Sequence, residues 1–320
     1  MKQGQENPTF DDKGSIPKFV MSLTHDGSNT TVAHGVTSSH LFGGVASEVD
    51  GAGNLAKGEA VGSSYFGMTG RDAWGSSWSA PFGGGTRLTV AGLYGTVADK
   101  PTEWNSLAST PVMGMKPSEA SVFGAAVRIS KLVGDVKLGL EGGMVHESNS
   151  VLGTVSEGMM SLGSATTQYA GVHAEAPITG TWTAFASYEA GVTNVRGSTG
   201  LVTSMNNLTS DAWSVGVTGT SALASDDRLT VLVSQPLRVN GGTANLNLPT
   251  SQDENNNVPY SAVSQNMASS GRETDLQVGY SLGLTEGERI STTAMLRLQP
   301  DNLRGASTEG VAMARYQLKF

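Results

Sequence analysis

Residues 310–320 read Gly-Val-Ala-Met-Ala-Arg-Tyr-Gln-Leu-Lys-Phe, and they give the clearest indication of how this chain folds. Every second side chain, counted back from the end, is apolar: Phe320, Leu318, Tyr316, Ala314 and Ala312. The positions between them are mostly charged or polar. A period of two puts these two sets on opposite faces of a β-strand. The stretch therefore predicts an amphipathic strand with aromatic rings on its apolar face.

Composition excludes several classes of protein. The chain has 320 residues, 42 of them glycine, and no cysteine, so it holds neither a disulfide framework nor a thiolate site. A net charge of −8 argues against a nucleic-acid partner. No apolar run approaches the ~20 residues of a membrane-spanning helix. A mean hydropathy of −0.15 still fits a membrane β-barrel, because half of each strand faces water.

The same alternation recurs along the chain in runs of about ten residues, the length that a tilted strand needs to cross a bilayer. About twelve strands are predicted, near 60–69, 74–81, 86–97, 120–131, 135–146, 166–177, 181–193, 210–221, 228–240, 271–284, 289–299 and 309–320. The series predicts an all-β fold, an antiparallel outer-membrane β-barrel of about 12 strands.

The predicted connections alternate in length. Tight turns are expected at 81–85, 133–135, 177–180, 225–227 and 285–288, and long polar loops at 98–119, 147–165, 194–209, 241–270 and 300–308. Short periplasmic turns and longer extracellular loops are typical of outer-membrane barrels. We therefore expect the bacterial outer membrane, with the loops extracellular and the C-terminus periplasmic. A soluble β-sandwich is the alternative, and the low aromatic content of 6% favours it.

Two regions of different composition are predicted. Residues 1–59 are polar and rich in Gly, Ser and Asp, and they are interpreted as a linker or passenger-junction segment. Residues 60–320 are assigned to the barrel. Because the first residues lack an apolar signal core and an outer-membrane protein needs an export signal, the chain is expected to be a C-terminal fragment.

Three stretches carry a resemblance to a known family: 228–250, which includes Ser-Gln-Pro-Leu-Arg-Val; 270–280, which begins Ser-Gly-Arg-Glu; and Leu-Gln-Pro-Asp at 298–301. Together they resemble the C-terminal β-domain of autotransporter-type subtilisin-like serine peptidases. The resemblance is best over about 210–320. It implies a translocator or anchor that exports or displays an N-terminal passenger, without the peptidase domain itself.

This interpretation assigns roles to particular side chains. Closing-strand residues are expected to form the signature read by the barrel assembly machinery: Tyr316, Leu318 and Phe320. Charged residues on the polar faces are expected to line the lumen: Arg87, Arg128, Lys137, Glu141, Glu189, Asp275, Arg297, Arg315 and Lys319. The expected partners are outer-membrane lipid, the assembly machinery and a covalently linked passenger upstream, and no nucleic acid.

No credible catalytic constellation is visible in the sequence, so the chain is expected not to be an enzyme and to hold no cofactor or metal; a serine peptidase is expected only in the full-length parent. Three alternatives stay open. One is a passive pore or an adhesin-type barrel, and another is a soluble secreted β-domain accessory to a protease. A third is a membrane-embedded hydrolase that uses His146 beside Glu147 at a strand end, where such a pair can act as a general base.

Overall fold

A computed structural model describes residues 19–34, 41, 63–68, 73–96, 120–155, 162–198, 200–252, 254–256, 258–285 and 287–318. Its strands are β1 (Phe19–His25), β2 (Ser28–His34), β3 (Trp74–Pro81), β4 (Thr86–Thr96), β5 (Ser121–Val133), β6 (Val136–Ser148), β7 (Ser150–Val151), β8 (Thr154–Val155), β9 (Leu162–Pro177), β10 (Trp182–Ser198), β11 (Val202–Thr220), β12 (Asp227–Pro249), β13 (Tyr260–Asn266), β14 (Thr274–Thr285), β15 (Glu288–Leu298) and β16 (Glu309–Leu318). Two single-turn 3-10 helices lie at Phe66–Met68 and Pro300–Asn302.

With β7, β8 and β13 left aside, the strands form one antiparallel meander, in which each strand pairs with the one that follows it along the chain. The 14-stranded sheet runs from β1 to β16, with β7 and β8 forming a separate small hairpin. β13 pairs with the second half of β12, whose first half pairs with β14. Within the described residues no pairing joins β1 to β16. The all-β antiparallel prediction is confirmed, but the count of about twelve strands was too low.

The two faces of the sheet are inverted relative to a soluble protein. Large apolar side chains are exposed on the outer face, as Leu140 and Ile129 show with 65% and 50% of their surface accessible. Charged and polar side chains are buried on the inner face, among them Glu141 at 4% and Glu189 at 2%. Apolar side chains outside and polar ones inside are the distribution of an outer-membrane β-barrel. Among the described residues no helix has both the length and the apolar character for crossing a membrane.

The two ends of the sheet differ. At one end, here called the turn end, the hairpins close tightly, and the predicted turns at 81–85, 133–135, 177–180 and 285–288 all lie there. The turn at Asp26 and Gly27 joins them, since Arg87 donates a hydrogen bond to the carbonyl of Gly27. The longer connections lie at the opposite end, here called the loop end.

Several predicted boundaries were wrong. The strand expected at 60–69 is described only over 63–68, which contains a single 3-10 turn, because this part lies against the inner face instead of joining the sheet. The segment 1–59 is not only a linker, since β1 and β2 pair into the sheet. The loop expected at 194–209 is mostly strand, because β10 continues to Ser198 in pairing with β9 and β11 begins at Val202 in pairing with β12.

Candidate functional site

A group of buried ionisable side chains lies on the inner face of three adjacent strands. Glu141 on β6 stands opposite Gly171 on β9, which in turn stands opposite Glu189 on β10. His173 lies two residues beyond Gly171 on the same face of β9. One ligand atom from each of Glu141, His173 and Glu189 lies within 4.8 Å of the others. The strand register thus converts three distant positions into one cluster, here called the interior cluster.

Glu141 is the centre of the interior cluster. Arg128 on β5 donates to its Oε2 from Nε at 2.8 Å and from Nη2 at 2.6 Å. The Tyr169 hydroxyl donates to Oε1 at 2.9 Å, and His173 Nε2 lies 3.5 Å from Oε2. Because an unpaired buried carboxylate is costly, this pairing is what allows Glu141 to be buried.

The segment Ser63–Met68 covers the cluster from the interior. The Ser64 amide donates to Glu189 Oε2 at 2.8 Å, and the Tyr65 ring stacks on that of Tyr169 with centroids 4.5 Å apart. The Tyr65 hydroxyl donates to the carbonyl of Ser210 on β11. Burial raises the pKa of Tyr65, so this donor keeps its proton. The segment, here called the inner segment, therefore occludes part of the lumen.

Glycines on the strands make room for these rings. A Cβ on Gly191 would lie 2.7 Å from the Tyr65 hydroxyl, and one on Gly124 would lie 2.8 Å from the Phe66 ring. The Tyr169 ring covers Gly143, its direct cross-strand partner, where a Cβ would lie 2.6 Å away. At these three positions glycine is required because an aromatic ring packs directly against the strand backbone.

The interior cluster corrects one expectation. The sequence indicated no catalytic constellation and therefore no enzyme. The structure corrects the premise, because acid, imidazole and hydroxyl groups meet at Glu141, His173 and Tyr169, so the expectation of no enzyme loses its basis. The error arose because their partnership depends on strand register and not on sequence spacing. His173 and Tyr169 lie on the inner face of β9, but only the charged positions of the neighbouring strands were singled out. The alternation of β9 itself would have pointed to both.

The predicted lumen charges occupy different places on the inner face. Arg128, Glu141 and Glu189 meet in the interior cluster, whereas Lys137 pairs with Glu175 at 3.3 Å nearer the turn end. Arg87 is exposed at the turn end, where it donates to Ser79 Oγ and to the Gly27 carbonyl. Asp275 is buried at the loop end, where it is the direct cross-strand partner of Arg297. Arg315 is exposed on β16, and Lys319 lies outside the described residues.

A second polar cluster unites the three stretches that carry the family resemblance. Arg297 donates to Glu273 Oε1 at 2.8 Å and to Glu309 at 2.7 Å, and the Asp301 amide donates to Glu273 Oε2. Asn302 accepts from the Glu273 amide and donates to the Leu237 carbonyl. We call this group at the loop end the rim cluster.

The rim cluster holds a strained turn. Gln299, Asp301 and Asn302 all have positive φ, between 53° and 58°, and non-glycine residues occupy that region only when their surroundings compensate. Arg238 extends the network by donating to the Gly271 carbonyl at 2.9 Å. The sequence motifs at 228–250, 270–280 and 298–301 therefore form one bonded unit, although they are far apart along the chain.

His146 and Glu147 do not form a pair. They are successive residues of β6, so their side chains point to opposite faces of the sheet. His146 is exposed on the outer face, 3.0 Å from Thr166 Oγ1. Glu147 is buried and accepts hydrogen bonds from the amides of Leu152 and Gly153. Glu147 thus fixes the β7–β8 hairpin, and the hydrolase built on His146 has no support.

The closing-strand signature is described only in part. The Tyr316 side chain is exposed on the outer face, and its hydroxyl donates to Glu288 Oε1 at 2.8 Å. Leu318 pairs with Glu288 through the backbone. Phe320 lies outside the described residues. Recognition of this strand by the assembly machinery stays a prediction.

No protein-family model matches the chain, and no curated protein matches it. Among solved structures it is similar to OmpT, an outer membrane protein of Vibrio cholerae folded in vitro, at 11% identity and a TM-score of 0.46. A loop L8 deletion mutant of OmpT gives 13% identity and the same TM-score, and each match covers 93% of this chain and 79% of the other. LpxR from Salmonella typhimurium gives 8% identity and a TM-score of 0.33, over 78% of this chain and 88% of that one.

Proposed function

We propose that this outer-membrane barrel is a translocator or anchor, which displays a passenger joined upstream of β1. The observation that carries the proposal is the direction of β1. Phe19 pairs with His34, and His34 pairs with Trp74 at the loop end. A domain joined before Phe19 would therefore leave the sheet on the side of the long loops. In the outer-membrane arrangement that side is extracellular.

Two further features support the proposal. The stretches that resemble the β-domain of autotransporter-type peptidases meet in the rim cluster, which is the behaviour expected of motifs that act together. The inner segment, which lies between β2 and β3 along the chain, would occupy the lumen and keep the barrel closed to small solutes. The proposed partners are outer-membrane lipid, the barrel assembly machinery acting on Tyr316, Leu318 and Phe320, and the upstream passenger itself.

Surface display of a fused reporter tests the proposal. A reporter domain is joined upstream of Met1 behind an export signal, and intact cells are treated with a protease that cannot cross the outer membrane. Cleavage of the reporter in intact cells is the expected result. An epitope inserted between Asp26 and Gly27 at the turn end is the matched control, and it should become accessible only after lysis. A reporter that stays protected while the barrel migrates as folded on an unboiled gel would overturn the proposal.

A second candidate is a hydrolytic activity at the interior cluster, and the proximity of His173 Nε2 to Glu141 Oε2 favours it. A carboxylate that orients an imidazole is a common general-base arrangement. Since the inner segment covers the cluster, a substrate would have to displace Ser64 and Tyr65 first. Hydrolysis of lipid or peptide substrates by the wild type, lost in a His173→Ala variant that still folds, would support this candidate. Equal turnover by both proteins would contradict it.

A further inference from the structure

The interior cluster contains buried ligand atoms whose hydrogen-bonding capacity is not met. Glu189 Oε1 and His173 Nδ1 have no hydrogen-bond partner, and His173 Nε2 has only the long 3.5 Å contact to Glu141 Oε2. Glu189 is only 2% exposed and His173 only 8%. A buried carboxylate oxygen without a partner is costly, and buried polar groups are nearly always satisfied. Glu141, His173 and Glu189 each have one ligand atom within 4.8 Å of those of the other two, on the inner face of β6, β9 and β10.

We propose that Glu141, His173 and Glu189 bind a divalent transition-metal ion. Each contributes one ligand atom to a set contained within 4.8 Å. Ligands of a tetrahedral zinc ion lie about 3.4 Å apart, which follows from bond lengths of about 2.0–2.2 Å. Closing the set around an ion thus requires side-chain shifts of only about 1 Å, well within the freedom of glutamate torsions.

The strand register explains why the two carboxylates can approach each other. Gly171 stands between Glu141 and Glu189 in the row across β6, β9 and β10. A Cβ at this position would lie 2.8 Å from Glu189 Cγ. Without that Cβ, Glu189 leans over β9 toward Glu141 and His173. An alanine here would push the carboxylate away from the other two ligands.

Local charge also favours a cation. The two carboxylates face one guanidinium, that of Arg128, which donates both of its short bonds to Glu141 Oε2. One negative charge remains for an ion to compensate when both acids are ionised and His173 is neutral, the form in which an imidazole binds a metal ion. Lys137 is engaged by Glu175 and stands apart from the cluster. An ionised carboxylate accepts through about four lone-pair sites, so Glu141 can bind the ion and keep Arg128.

The ligand types select the class of ion. One imidazole with two carboxylates suits first-row transition metals such as Zn²⁺ more than Ca²⁺ or Mg²⁺, which take oxygen ligands alone. The inference goes beyond the display function and does not depend on it. An ion here would cross-link three strands beneath the inner segment, whether or not a passenger is exported.

Metal binding is tested on the full chain, extracted from membranes in detergent, treated with EDTA and checked for folding by its migration without boiling. Co²⁺ alone is the probe, followed by its visible absorption, and Zn²⁺ is then added to displace it. The wild type is expected to bind one Co²⁺ per chain and to release it to Zn²⁺. Glu189→Gln and His173→Gln should each weaken binding by more than the ~10–100-fold that loss of a supporting outer-shell partner costs.

Glu175→Gln is the matched control, because Glu175 lies two residues from His173 on the same face but pairs with Lys137. It should bind Co²⁺ within about twofold of the wild type, since a change outside the ligand set acts weakly. A folded wild type that binds no Co²⁺ would overturn the proposal even if every variant failed to fold. Unchanged binding by Glu189→Gln, or equal weakening by Glu175→Gln, would overturn it as well. None of these results depends on surface display.

Discussion

Gly191 shows how a single missing side chain shapes the interior. The Tyr65 hydroxyl packs directly against the Gly191 backbone, and a Cβ added at Gly191 would lie only 2.7 Å from the hydroxyl oxygen. We expect Gly191→Ala to lower the free energy of unfolding by about 1–3 kcal/mol, the usual cost of overpacking a filled interior. Urea unfolding in detergent, followed by tryptophan fluorescence, measures this difference.

Two comparisons isolate the contact between Gly191 and Tyr65. Gly279→Ala, also on the inner face, meets nothing closer than Thr293 Oγ1 at 3.8 Å and should change stability little. In a Tyr65→Ala background, Gly191→Ala should cost clearly less, since the clashing ring is gone and the Gln168 carbonyl oxygen, 3.0 Å from the new Cβ, is the close contact that stays. An equal loss of stability in both backgrounds would show that the glycine is needed for another reason.

Arg297 is the residue on which the rim cluster depends. It contacts Glu273, Asp301 and Glu309, and Glu273 is only 3% exposed. Arg297→Ala leaves a buried carboxylate without its cation. Such a loss lowers the free energy of unfolding by about 3–5 kcal/mol for a fully buried pair. Because Arg297 is partly exposed, we expect about 2–3 kcal/mol here. Unfolding in urea measures the loss.

Arg289→Ala provides the control on the same strand. Arg289 contacts Asp226 at 3.5 Å, and that carboxylate is 71% exposed. Its removal should cost less than about 1 kcal/mol, as exposed pairs contribute little. Equal losses for the two arginines would mean that the rim cluster contributes no more than an ordinary surface pair.

At the scale of elements, the inner segment is predicted to limit passage through the lumen. Tyr65 and Phe66 are buried between strands that would otherwise enclose water. We expect the Tyr65→Ala/Phe66→Ala double variant to raise single-channel conductance in planar bilayers several-fold. Phe82→Ala, which removes an exposed ring from a tight turn, is the control and should leave conductance unchanged. No change in the double variant would mean that the inner segment does not limit conduction.

The strands were predictable where alternation was regular, as in β14, whose Leu276 and Val278 face outward and Asp275 and Gln277 inward. The extension of β10 and β11 was not predictable, because its side chains do not alternate in polarity and the sequence therefore predicted a loop. There the extended part of β10 pairs with β9 and the extended part of β11 pairs with β12, so backbone pairing with the outer neighbours holds both strands.

The interior cluster was predictable only in part. Arg128, Glu141 and Glu189 were assigned to the polar faces, but their meeting depends on the registers of β5, β6, β9 and β10. The inner segment was mistaken for a strand because its Tyr and Phe are apolar, and alternation cannot tell a lipid-facing ring from one buried in the lumen. Periodicity identifies faces, whereas register and insertion determine which residues meet.

For the whole molecule, the decisive property is that lipid and not water covers the outer face. Leu140 lies on this face near the middle of β6, between Ile129 and Val172 in the register, and 65% of it is accessible. We expect Leu140→Arg to lower the free energy of unfolding in lipid vesicles by about 2–4 kcal/mol, the cost of an arginine near the bilayer midplane. In a water-soluble sandwich the same change would be neutral or would improve solubility.

The control for Leu140→Arg is Phe82→Arg. Phe82 is more exposed, at 77%, but it belongs to a tight turn beyond the strands. Near the interface an arginine costs about 0–1 kcal/mol, so only depth in the bilayer separates the two variants. The comparison also bears on the interior. A sheet whose inner face carries buried acids has its apolar side chains on the outer face, and these are stable only when lipid covers them. If both variants unfold alike in vesicles and in detergent-free buffer, the apolar face is not in lipid and the membrane assignment fails.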